Sequence, residues 1–83
     1  MNMIFDSVIP TKEQLKKIKH DFPVGCHVKL LKMNDEHAPN PGTKGIVSHI
    51  DDIGTIFVNW ENGSSLGVVF KEDIIERLEE VAD

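Results

Sequence analysis

Apolar and polar residues alternate most clearly between Gly42 and Phe70, where the chain reads as three short strands joined by two tight turns. Val47 and Ile50 give the first strand its apolar side. Ile56, Val58 and Trp60 share one face of the second, and Leu66, Val68 and Phe70 share one face of the third. Strand residues two apart point the same way, so the second and third sets predict a packed face, to which Val47 and Ile50 add core. Asn62-Gly63 separates the last two runs and suits a two-residue turn, because both central positions need positive φ. Asp51-Asp52-Ile53-Gly54 makes the other turn.

Upstream, Val24 to Met33 predicts a further strand in which Cys26, Val28 and Leu30 alternate with His27 and Lys29. Leu31 and Met33 are then apolar around Lys32, so the phase slips once near Leu30, and a β-bulge accounts for the slip. The polar, proline-bearing run from Asn34 to Gly42 predicts a long surface loop. Thr11-Lys-Glu-Gln14 has the form of a capping box. Leu15, Ile18 and Phe22 recur at helical spacing, so a short helix over about residues 12–20 lays one side on the strands, and Pro23 stops it.

At the other end, Ile74, Leu78 and Val81 fit a helical period, and Glu72 and Asp73 suit a helix start. Four strands, however, leave open edges that a small barrel has to close. A turn at 71–73 and a fifth strand over 74–78 are therefore expected. The organisation this predicts is an N-terminal extension (1–10), a helix packed on a barrel (11–22), the barrel (23–78) and an acidic tail (79–83). Long loop, three-strand meander, short turn and final strand is the order of a mainly β, five-stranded SH3-like barrel, here with one short N-terminal α-helix.

Size and charge restrict what such a domain can do. A chain of 83 residues buries only about 60–65% of its unfolded surface, which leaves no room for a deep small-molecule cavity. The single cysteine, Cys26, excludes an internal disulfide, and no run has the length of a membrane span or the form of a secretory signal, so a cytoplasmic location is expected. The net charge of −5 is uneven: residues 1–20 carry four lysines against two acids, and the remainder stands at −7. An acidic barrel repels phosphate backbones, which leaves Lys12, Lys16, Lys17 and Lys19 of the helix as the candidate nucleic-acid contacts.

The titratable residues assemble no chemistry. Cys26 and His27 are adjacent in a strand and point to opposite faces, so they cannot readily hold one metal ion or act as a nucleophile pair. Asp51-Asp52 sit in a turn, and the glycines are spread as turn and strand glycines rather than gathered in a phosphate loop. No catalytic residue, metal or cofactor is expected, and the chain is not expected to be an enzyme. A proline-recognition groove or a methyl-lysine cage would need more aromatics than one tryptophan and four phenylalanines supply. Gly42-x-x-Gly45-x-Val47 is similar to the short motif of KOW-type barrels.

Two aromatic residues stand out. Phe57 falls on the face opposite to Ile56 and Val58, where it is either an exposed anchor or is covered by Leu15 and Ile18 of the helix. Trp60 is either an anchor at the rim or a barrel plug whose indole N–H bonds a turn carbonyl.

Phe22-Pro-Val-Gly25, Val28-x-Leu30-x-x-Met33, Pro41-Gly-Thr-x-Gly45, His49-Ile-Asp-Asp-Ile-Gly54 and Trp60-Glu-Asn-Gly-Ser-Ser-Leu66 together resemble a family of small proteins of Gram-positive bacteria, phages and mobile elements, the domain of unknown function family 4314. The resemblance covers Thr11 to about Leu78. It implies an SH3-like barrel in a mobile-element setting and no activity. Family members carry Asp where this chain has Glu61, and Gly where it has Lys71. The candidate contact surface, at the turn end of the barrel, comprises Asp51, Asp52, Phe57, Trp60, Asn62, Gly63 and Ser64. Three readings follow: a non-catalytic accessory module that contacts another protein, a KOW-like nucleic-acid binder using the basic helix, and an acidic inhibitor of a host nuclease or defence protein. None involves a membrane or a small-molecule substrate.

Overall fold

The computed structural model describes residues 9–79. Most of the expected N-terminal extension and all of the acidic tail after Glu79 lie outside the described residues. One helix, α1 (Lys12–Asp21), precedes five strands: β1 (His27–Lys32), β2 (Lys44–Ile50), β3 (Ile56–Trp60), β4 (Gly67–Val68) and β5 (Ile74–Leu78). The chain is mainly β, with the five strands in one antiparallel sheet of order β4-β3-β2-β1-β5.

Local chemistry sets the helix. The Thr11 hydroxyl accepts from the Gln14 N–H at 3.1 Å, and the Gln14 side chain accepts from the Thr11 N–H at 2.9 Å, which satisfies two donors at the helix start. At the other end the Phe22 N–H bonds the Ile18 carbonyl before Pro23 stops the helix. Leu15, Ile18 and Phe22 pack against the sheet's core.

That core comes from the inward side of every central strand: Cys26, Val28 and Leu30, then Val47 and Ile50, then Ile56, Val58 and Trp60, with Val68 from β4. Two bulges keep the inward sets in phase. The β1–β5 register shifts between Leu30 and Lys32, which turns Leu31 outward at 45% exposure, while Met33 returns to the core side. A second shift between Val47 and His49 in the β2–β3 pairing lets Val47 and Ile50, three apart, both face inward. The first bulge matches the phase slip in the sequence.

β5 forms at the expected residues and pairs along β1. Two strands are shorter than expected. β1 begins at His27 because Gly25, at φ 96°, and the Cys26 N–H bond to the Pro23 carbonyl place a turn there. β4 is two residues long, with Leu66 and Phe70 only half-buried. The reason lies in the following turn. The Val69 N–H donates to the Asp73 carboxylate, and the Val69 carbonyl accepts from Glu72 and Asp73, so Val69 has nothing left for a ladder.

Within that turn Lys71 is the one described non-glycine residue at positive φ, 67°. An L side chain in the left-handed region is strained by about 1–2 kcal/mol, partly offset in glycine's case by its larger folding entropy. Lys71→Gly is expected to raise stability by about 0.5–1 kcal/mol. Thermal denaturation should show the midpoint rising by a few degrees; a fall would mean that the Lys71 ammonium, 5.6 Å from the Phe70 ring centre, outweighs the backbone strain.

Candidate functional site

The seven expected surface residues do not form one surface. The turns at 51–55 and 61–66 follow each other on either end of β3, and the pairing puts Ile50 beside Ile56 at one end and Gly45 beside Trp60 at the other. A five-residue strand separates those ends by about 13 Å. Asp51 and Asp52 therefore lie apart from Asn62, Gly63 and Ser64, and a single contact surface at one turn end is ruled out by the topology.

Most of these residues are also engaged in their own turns. The Asp51 carboxylate accepts from the N–H groups of Ile53, at 3.1 Å, and Thr55, at 2.9 Å. Asn62 accepts from the Ser64 N–H at 2.9 Å, Gly63 supplies φ 91°, and the Ser64 hydroxyl accepts from the Leu66 N–H at 3.2 Å. Trp60 is only 4% exposed, and its indole N–H donates to the Leu66 carbonyl at 3.0 Å. It is a core residue and not the rim anchor, so its side chain cannot contribute to a contact surface. Asp52 is exposed. Trp60→Phe removes this donor, leaving the Leu66 carbonyl without its indole partner, and replaces the buried indole by a smaller ring; it is expected to destabilise by about 2 kcal/mol in chemical denaturation.

Phe57 has a different environment. Its ring is half-buried, stacked on His49 with centroids 5.8 Å apart and planes 26° apart. It lies over Gly67, where a Cβ would come within 3.2 Å of the ring and 2.6 Å of Thr55. Leu15 and Ile18 of α1 pack on the opposite, core side of the sheet, and Ile18 sits over Gly54. Phe57 is thus framed by strand neighbours on the sheet's outer face.

The outer face carries residues that the sequence reasoning passed over. Cross-strand partners share a face, so Phe57 is joined by His49, Asn59 by Ile46, Ile46 by His27, and Lys32 by Ile74. Ile46 and Ile74 are 43% and 51% exposed. Lys29 and Lys44 are paired on β1 and β2, and Lys29 reaches Glu76 at 3.7 Å. The alternation around Val47 already placed Ile46 outward, which is the signal that could have found this face.

The helix lysines divide. Lys17 bonds Asp21 at 3.0 Å and, as the largest influence, holds that carboxyl below its ordinary pKa. That pair is lost as the pH falls through the lowered value. Lys12, Lys16 and Lys19 form an exposed stripe, and none is ion-paired with a carboxylate among the described residues. An apolar cleft of about 190 Å³ lies between α1 and the β4–β5 turn, lined by Ile18, Phe22, Ile56, Phe70 and Ile75. It brings together no set of polar groups for chemistry. Cys26 is buried and His27 exposed, on opposite faces. Among the described residues no three His, Cys, Asp or Glu side chains gather around a metal position, and no helix is long and apolar enough to cross a membrane.

No curated protein and no solved structure matches the chain. A family model does match, over residues 11–78, from the capping Thr11 to the last residue of β5. The chain belongs to that family, DUF4314, a domain of unknown function.

Proposed function

We propose that the chain is a non-catalytic binding module, an SH3-like barrel that contacts another protein through the outer face of β1, β2 and β3. The strand order, the two bulges and the short turn into β5 support the barrel reading. The observation that carries the contact surface is the exposed Ile46 beside the Phe57–His49 stack on the two central hairpin strands, with no element of the described chain assigned to cover them. An exposed aliphatic residue next to an aromatic on a rigid sheet suits an interface anchor. The turns hold their own polar groups and act as the frame. The family resemblance supports an accessory role in a phage or mobile element, and the reduced state expected of a lone cysteine supports a cytoplasmic setting.

Affinity capture from host lysate with three baits tests this. A specific partner should be held by the wild type and by Asp52→Ala and lost with Ile46→Asp, while circular dichroism shows all three folded. Loss with Asp52→Ala and retention with Ile46→Asp would return the surface to the turns.

A second reading rests on the lysine stripe. Lys12, Lys16 and Lys19 recur at helical spacing and could meet phosphates. It predicts a salt-sensitive shift of DNA or RNA that disappears in the Lys12→Glu, Lys16→Glu, Lys19→Glu triple variant, and an absence of binding at low salt removes it.

A further inference from the structure

We infer that the cleft between α1 and the β4–β5 turn is a docking site for this chain's own N-terminal segment, residues 1–8, with Phe5 as the anchor. β4 and β5 are the two edges of the sheet, so no strand covers the core between them. At that gap Ile18 and Phe22 of α1, Val68 of β4 and Ile75 of β5 line about 190 Å³. Val69 and Ile74, which also line it, are 39% and 51% exposed. Apolar surface left open beside a small core favours a cover.

The described chain begins at the edge of this cleft. Pro10 and Ile18 meet over Gly54, where a Cβ would lie 2.9 Å from the Pro10 ring and 3.3 Å from the Ile18 methyl, and Gly54 itself lines the cleft. Five residues of extended chain span at most about 17 Å, so Phe5 reaches the cleft from Pro10 without strain. The segment has the matching chemistry: Met1, Met3, Ile4, Phe5 and Val8 are apolar, and Asp6 is its one charged side chain. Lys71 lines the cleft and is in no ion pair with a carboxylate among the described residues, which gives Asp6 a cation beside the anchor.

The other terminus fits less well. It leaves from Leu78, which pairs with His27, whereas the cleft lies at the Ile74 end of β5, about 13 Å away. It also carries Glu79, Glu80 and Asp83. A free apolar peptide would have to displace a segment whose tether holds it at an effective concentration of the order of millimolar.

NMR of the full, methyl-labelled chain tests this. The Phe5 ring should show nuclear Overhauser contacts to the methyls of Ile18, Val68 and Ile75, unchanged on dilution. Phe5→Asp should abolish them, move those methyl resonances while leaving Val28 and Val47 in place, and lower the thermal midpoint by about 5–10 °C. Absence of these contacts in the wild type would overturn the inference, as would Phe5 contacts to Ile46 and Phe57 on the outer face. Contacts found only between differently labelled chains in a mixed sample would make the occupant a second copy, and would overturn it too.

Discussion

Gly45→Ala is expected to be the most damaging single-methyl change in the chain. Gly45 pairs with Trp60 across β2 and β3, and a Cβ there would lie 2.5 Å from the Val58 side chain, 2.8 Å from the Asn59 carbonyl oxygen and 2.9 Å from the Trp60 ring. The carbonyl is backbone and cannot yield without breaking the hairpin, while the indole is held by its bond to Leu66. Overpacking against such neighbours costs about 3 kcal/mol. A domain of 83 residues has a total stability of about 4–12 kcal/mol, so much of the margin disappears. The thermal midpoint should fall by about 12–24 °C. A drop of a degree or two would show that β2 and β3 approach less closely than described.

Asp73→Ala carries the second largest expected effect, through hydrogen bonds instead of volume. The Asp73 carboxylate accepts from the Val69 N–H at 2.9 Å and from the Asn34 N–H at 3.0 Å, a residue 39 positions away. It closes the turn that launches β5 and ties that turn to the end of β1. Each such bond to a charged acceptor is worth about 1.5 kcal/mol at a half-buried site, giving a loss of about 2–3 kcal/mol for the pair. Asp73→Asn retains one oxygen acceptor and should lose about half as much. Urea denaturation should order the midpoints wild type, Asp73→Asn, Asp73→Ala. Coincident midpoints would mean that the turn holds without its carboxylate.

These two residues also show where sequence reasoning stops. The capping box at Thr11 and the bulge near Leu30 were legible because each depends on residues close in the chain. The strand at 74–78 followed instead from the need to cover a sheet edge, against a local helical period. The turn at Asn62-Gly63 forms, but with positive φ at Gly63 and not at Asn62, and the Trp60 N–H bonds the Ser64 carbonyl, so it is a longer loop than the two-residue turn expected. Asp73 reads locally as a helix-start or turn acid, and nothing in the sequence announces that its second oxygen reaches Asn34. Gly45 reads as an ordinary strand glycine until Trp60 is known to lie across it. The misplaced surface has a different origin. Two consecutive hairpin turns must sit at opposite ends of their shared strand, so Asp51 and Asn62 could have been separated from topology alone. The outward position of Ile46 was readable from the alternation around Val47, but its neighbours needed registers, which pair Ile46 with Asn59, His49 with Phe57 and Lys32 with Ile74 only once both bulges are placed.

Amide hydrogen exchange of the chain alone and in complex with its captured partner tests the central claim, that the sheet face binds and the turns support it. The account predicts slowed exchange across residues 44–49 and 57–59, with unchanged rates at 51–54 and 61–65. Protection confined to the two turns, with the outer face of β2 and β3 unaffected, would contradict it.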